Sequence, residues 1–132
     1  MKNNNVSILL ISHCYEIVSG LKNLLNQVQP DVNIAISGGI HDEIGTNAFD
    51  IKNALESVYT SNGVVILFDL GSALINAELA VEMFGGNKKI IFADAPLVEG
   101  AYAAVVESGL GNTVEEVANA AESAKQLQKI SD

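Results

Sequence analysis

Arginine is missing from this sequence: all seven basic residues are lysines. Without a guanidinium, the chain has no bidentate fork for phosphate and no arginine finger of its own. If it handles phosphate, backbone N–H groups and hydroxyls must do most of the holding, or a partner must supply the cation. Positive charge is scarce altogether, with 7 bases against 16 acids and a net charge of −9. That balance argues against nucleic acid or an anionic membrane as partner and would attract a basic protein, with plain solubility as the alternative explanation. The single cysteine, Cys14, closes no internal disulfide, so a reducing cytoplasm is the expected setting. There is no tryptophan, and the three Tyr and four Phe fall mostly within strand or helix patterns. Nothing aromatic is therefore expected to gather at a ligand crevice. Apolar residues make up 48% of the chain, yet no run reaches the ~18 consecutive positions of a membrane span. The opening "MKNNNVSILLIS" has no small-residue cleavage site and reads as a strand, not a signal peptide.

Several motifs are absent as well. No G-x-x-x-x-G-K-[ST] occurs, and "GLGNTV" at 109–114 has only the first two glycines of a dinucleotide fingerprint. A hydrolase elbow wants glycines where Leu70 and Leu74 stand. A thiol phosphatase would need C-x5-R after Cys14, but position 20 is Gly, so Cys14 is assigned to packing. Asp69 amid scattered acids makes no metal site.

What is present alternates. Strand-like runs lie at 6–12, 33–37, 64–70 and 89–94, three of them nearly continuous in apolar residues, as strands covered on both faces are. Helical patterns separate them. Ile17, Val18, Leu21, Leu24, Leu25 and Val28 recur on one face of 15–28, and Ala48, Ile51, Leu55 and Val58 do so in 47–60. A helix over 73–84 ends in Gly85-Gly86, Pro96 opens one running to about Ser108, and "TVEE" at 113–116 is a capping box for a final helix. This pattern predicts a single domain over 1–132. Its class is α/β: a doubly wound, mainly parallel four-stranded sheet in order 2-1-3-4, with helices on both faces.

Ligands of such sheets bind beyond the carboxyl ends of the strands, where the strand order reverses. In order 2-1-3-4 that crevice lies between strands one and three. His13 follows strand one, and Asp69 is expected to close strand three just before Gly71 and Ser72. A neutral imidazole offers a nucleophilic lone pair, and a carboxylate holding one ring N–H leaves the other nitrogen free. Gly71 allows a tight turn, Ser72 is a good N-cap, and the first amides of helix 73–84 would face the crevice as an anion site. "GGI" (38–40) and "IGTN" (44–47) form a third wall, where amides near Gly38 and Gly39 and the Thr46 hydroxyl are placed to hold phosphoryl oxygens. His41, the other histidine, lies in a polar loop and is read as solvated.

Together, "ILLISHCYEIVSGLKNLL", "SGGIHDEIGTNAFDIKNAL" and "VVILFDLGSALINAELAVEM" resemble the DhaM family, phosphotransferase subunits of PTS-dependent dihydroxyacetone kinases built on the mannose-type EIIA domain. The resemblance covers nearly the whole chain, and D-L-G-S-A-x-x-N-x-E is its most specific stretch. It implies a cytoplasmic homodimer in which a histidine takes a phosphoryl group from HPr and passes it to ADP held on DhaL, for use on DhaK. His13 matches the acceptor and Asp69 the residue that orients it, while Gly39, Thr46 and Ser72 match positions around the phosphate. ADP/ATP and Mg2+ then belong to DhaL, and this chain itself carries no cofactor or metal. Longer family members carry HPr-like and Enzyme I-like domains; this chain has only the EIIA-like part, so phosphate is expected to arrive from separate proteins. The alternatives are an EIIA domain feeding a sugar transporter and a non-enzymatic module regulated by phosphorylation.

Overall fold

A computed structural model describes residues 5–86 and 88–131, so the first four residues of the stretch weighed as a leader lie outside it. In chain order the elements are β1 (Ser7–Ser12), α1 (Tyr15–Val28), β2 (Ile34–Gly38), α2 (Ala48–Val58), β3 (Val64–Phe68) and α3 (Ala73–Phe84). They continue with β4 (Ile90–Phe92), α4 (Leu97–Gly109) and α5 (Val114–Ser123). The strands form one sheet in the expected order, β2-β1-β3-β4, with every pairing parallel.

β1 occupies the centre and is buried along its whole length. Its alternating side chains feed two cores, as the two-residue period of a strand dictates. Ile8 and Leu10 pack with residues of α1, α4 and α5, while Leu9 and Ile11 pack with residues of α2 and α3. This double coverage is why the strands read as apolar runs and not as alternation. The reversal of strand order falls between β1 and β3, so their following loops open on one crevice.

Three differences from the sequence pattern matter beyond a shift of a residue or two. β3 ends at Phe68, and Asp69 is the first residue beyond it, still tied to the sheet by its N–H to the Ile11 carbonyl (3.1 Å). β4 is only three residues long and half-buried, as an edge strand is. Pro96 is the N-cap residue of α4 rather than part of its first turn. The Thr113–Glu116 capping box is present in both directions.

The apolar face of α1 is narrower than its periodicity suggests. Val18, Leu21 and Leu25 are buried, whereas Ile17, Leu24 and Val28 stay exposed. On α4, a Cβ on Gly100 would meet Ala121 of α5, and the opposite flank carries the exposed Val98, Tyr102 and Val106. Gly109, three residues past Val106, lies against the Gln29 side chain at the end of α1. α1 and α4 pack against each other, and each keeps an uncovered apolar stripe.

Candidate functional site

The crevice is built around one carboxylate. Asp69 Oδ1 accepts from His13 Nδ1 (3.0 Å) and the Leu70 N–H (2.7 Å), and Oδ2 accepts from Ser12 Oγ (2.8 Å) and the His13 N–H (3.0 Å). Four donors converge on two oxygens, so Asp69 acts here only as an acceptor. The proton of the His13 ring therefore sits on Nδ1, and Nε2 keeps its lone pair. Ser72 Oγ lies 2.9 Å from that Nε2 and donates to it. With 20% of its side chain exposed, His13 is held on one nitrogen and open to a neighbour on the other side.

Burial by itself would raise the Asp69 pKa. The His13 backbone N–H, the Ser12 hydroxyl, the His13 ring and the Leu70 N–H outweigh it and hold the carboxyl below its ordinary value.

Residues on the other walls are placed differently from expectation. Ser72 occupies the N-cap position of α3, but its side chain makes no cap bond and is spent on His13. The amides of Ala73 and Leu74 already donate to the carbonyls of Leu70 and Gly71, so they are not free for an anion. Those of Gly71 and Ser72 have no partner among the described residues and are left free at the mouth of the helix. Gly71 is not demanded by sterics, since a Cβ there would meet nothing within 4 Å.

Thr46 is tied in through a residue that sequence reasoning missed. Asn76 Nδ2 donates to Thr46 Oγ1 (2.8 Å) and to its carbonyl (3.2 Å). With Oγ1 accepting from Asn76, the Thr46 hydroxyl proton is directed elsewhere and is available as a donor. The Gly45 N–H donates to the His13 carbonyl (2.8 Å), fastening the same loop to the backbone of the histidine. Ser12 was missed too. Its buried hydroxyl donates to Asp69 and accepts from the Cys14 N–H (3.0 Å), so it holds the carboxylate and the strand end together. Both had a signal: a polar residue ending an apolar strand, and an asparagine one helical turn beyond Ser72.

The glycines divide. Gly38 lies within β2, where a Cβ would come within 3.0 Å of the Ser12 carbonyl and Val18, so packing accounts for it. Gly39 has φ +77 and a Cβ there would come 3.1 Å from the Glu43 carbonyl. It lines a cavity of about 400 Å³ together with Cys14, Tyr15, Glu16 and the 41–44 turn, beside the His13 pocket rather than within it. His41 is exposed in that turn, with φ +48. Cys14 is not core packing. It is the half-buried N-cap residue of α1, with Sγ 3.3 Å from Glu16 Oε1. Aromatic rings do reach the rim: Tyr15 lines the cavity and Phe49, in the first turn of α2, is exposed.

Residues 7–118 match the family model described as PTS system fructose IIA component, EIIA-man. The chain is 39% identical over 107 residues to PEP-dependent dihydroxyacetone kinase 2, phosphoryl donor subunit DhaM, of Listeria innocua, covering 78% of this chain and 86% of that one. It is 33% identical over 131 residues to the DhaM phosphoryl donor subunit of PEP-dependent dihydroxyacetone kinase from Providencia stuartii; there the alignment takes in 94% of this chain but spans only 28% of the relative's length. Among solved structures, the unknown function protein EF1359 superposes with a TM-score of 0.79 at 30% identity, over 89% of this chain and 93% of that one. Among the described residues, no helix is long and apolar enough to cross a membrane.

Proposed function

We propose, from the premise that this chain belongs to the EIIA-man family and, within it, to the DhaM phosphoryl donor subunits of PEP-dependent dihydroxyacetone kinases, that it is a phosphoryl carrier whose acceptor atom is His13 Nε2. One observation carries the assignment: Asp69 holds Nδ1 at 3.0 Å while Nε2, 2.9 Å from a hydroxyl that can swing away, faces the rim of the sheet.

The donor is phospho-HPr. As the Nε2 lone pair forms its bond to phosphorus, the P–N bond on the donor breaks and that bond's electrons return to the donor imidazole. The Nδ1 proton stays between His13 and Asp69, whose charge offsets the positive character the ring acquires. Ser72 Oγ turns from the ring nitrogen to a phosphoryl oxygen, joined by the Gly71 and Ser72 amides and by the Thr46 hydroxyl. Gly39 supports this shell from the neighbouring wall. In the second step a terminal phosphate oxygen of ADP on DhaL attacks the same phosphorus, and Nε2 leaves with its lone pair. The resulting ATP serves DhaK, Mg2+ travels with the nucleotide on DhaL, and this chain supplies no metal ligand or cofactor. The setting is cytoplasmic.

A homodimer fits the same scheme, formed through the exposed apolar stripe that α1 and α4 present. That stripe is apolar and uncharged, which suits a second copy bearing the same net charge of −9 better than an oppositely charged partner. Leu24→Glu should weaken self-association at least about a hundredfold, because a carboxylate would be desolvated without a partner. Sedimentation equilibrium reads the change.

Reconstitution with phosphoenolpyruvate, Enzyme I, HPr, DhaK, DhaL–ADP and dihydroxyacetone tests the function. Dihydroxyacetone phosphate should form only when this chain is added. Transfer to a transporter EIIB domain with none to DhaL–ADP would reassign it to sugar uptake, and loading without any turnover would make it a regulatory module. Within the assay, Asn76→Ala should slow transfer about fivefold while the fold persists, the effect of losing hydrogen bonds worth about 1 kcal/mol. Stopped-flow loading of His13 measures it.

A further inference from the structure

Burying a hydroxyl costs free energy unless hydrogen bonds compensate it. Ser12, the last residue of the apolar β1, is fully buried, and both of its bonds lie inside the site. Its Oγ accepts from the Cys14 N–H (3.0 Å), which leaves its proton for Asp69 Oδ2 (2.8 Å). The backbone at the mouth of α1 thereby fixes the direction of that proton.

Of the four donors on Asp69, two are the backbone amides of His13 and Leu70, and a third is the His13 ring itself. Any residue but proline would supply those amides. Ser12 is the one donor that the choice of a side chain adds beside the imidazole. It binds the oxygen that does not face the ring, so it draws charge from the carboxylate without competing for Nδ1.

The charge of the ring changes as phosphate comes and goes. With a phosphoryl group on Nε2, the lone pair is in the N–P bond and Nδ1 keeps its proton, so the ring is positive. When that bond breaks, the pair returns to Nε2 and the ring is neutral again. The negative charge of Asp69 therefore favours the loaded form over the empty one. Each donor that draws on this charge weakens the preference, and a buried network transmits the effect more strongly than water does.

We propose that Ser12 sets the phosphoryl-transfer potential of His13: its bond to Asp69 Oδ2 keeps the loaded histidine from becoming too stable to give its group away. Ser12 acts through Asp69, as a positioning residue. The inference rests on the reading that His13 carries phosphate, and it adds what determines how readily that phosphate is passed on.

The test is an equilibrium, which slower exchange alone does not move. Phospho-HPr is mixed with this chain, and intact-mass spectrometry reads how the phosphate divides between the two. Ser12→Ala should shift the division toward this chain about fivefold, the effect of removing one charge-assisted bond from a carboxylate that keeps three. The equilibrium with DhaL–ADP should shift against ATP by the same factor, because both reactions share the loaded form. The Nδ1 proton should move downfield in the NMR spectrum as its bond to Asp69 strengthens. Ser12→Cys, similar in shape and a weaker donor, should shift the division the same way by less, and its direction decides if the alanine variant does not fold. The proposal falls if Ser12→Ala leaves the division within about twofold of wild type or moves it toward HPr. Slower exchange in both directions at an unchanged equilibrium would make Ser12 a support of the fold and overturn it too. Wild-type protein that takes no phosphate from phospho-HPr would end the carrier reading itself, and this inference with it.

Discussion

His13→Gln is expected to take no phosphate from phospho-HPr, with transfer to DhaL–ADP falling at least about 10⁴-fold, the scale on which loss of a nucleophile acts. The argument is one of inventory at the crevice. His41 stands in the exposed turn 40–43, and Cys14 Sγ is engaged with Glu16 Oε1. The hydroxyls of Ser12 and Ser72 are engaged with Asp69 and His13. Glutamine keeps a neutral polar head able to donate to Asp69 and to meet Ser72, so the loss should not come from unfolding. Intact-mass spectrometry after incubation with phosphoenolpyruvate, Enzyme I and HPr should find one acid-labile phosphate on the wild type and none on the variant. A phosphate that persists on His13→Gln would move the acceptor elsewhere and remove the basis of the mechanism.

Asp69→Asn should cost about 10⁴-fold in transfer, comparable to the effect of replacing the carboxylate that orients a catalytic histidine. A carboxamide has one acceptor oxygen where Asp69 now accepts four hydrogen bonds. If its NH2 faces the ring, Nδ1 becomes the acceptor and the proton moves to Nε2, which removes the attacking lone pair. The same change has a signature in stability. The folded-state pKa of Asp69 is lowered, so its contribution is complete above the unfolded value of ~3.9 and disappears as pH falls through the lower folded value. Wild type should therefore be the more stable protein at pH 7, and its advantage over Asp69→Asn should shrink toward pH 3. Urea midpoints at the two pH values measure this. Equal transfer rates for wild type and variant, or an advantage that grows with acidity, would contradict the assignment of Asp69 as the anchor of the site.

Much of this was legible in the chain because it is local. Apolar runs such as Ile8–Ile11 announce strands buried on both faces, and Thr113 with Glu116 announces a helix start. The alternation of strands and helices announced a parallel α/β sheet, and the order 2-1-3-4 assumed for that fold class is the one the sheet adopts. Where reasoning from periodicity failed, a neighbour was responsible. Leu24 and Val28 have the spacing of core residues, but no other element covers that flank of α1 and they stay exposed. Ser72 is a cap by position and a ligand of His13 by geometry, because a hydroxyl on a helix mouth goes to the better acceptor within reach.

By itself the sequence determined the elements, the parallel α/β class they imply and the two residues that follow the first and third strands, His13 and Asp69. Each of those follows from backbone periodicity, the two-sided burial of parallel strands and the rule that their carboxyl ends hold the site. Only the tertiary structure decided which nitrogen is free, which amides remain unpaired, and that Ser12 and Asn76 brace the site. It alone left Ile44, Phe49, Leu70 and Ile75 exposed on the segments that build the site. Those outcomes depend on hydrogen bonds and exposures between segments more than 25 residues apart in the chain. Such partners are set by how the layers pack, and no local pattern of residues encodes them.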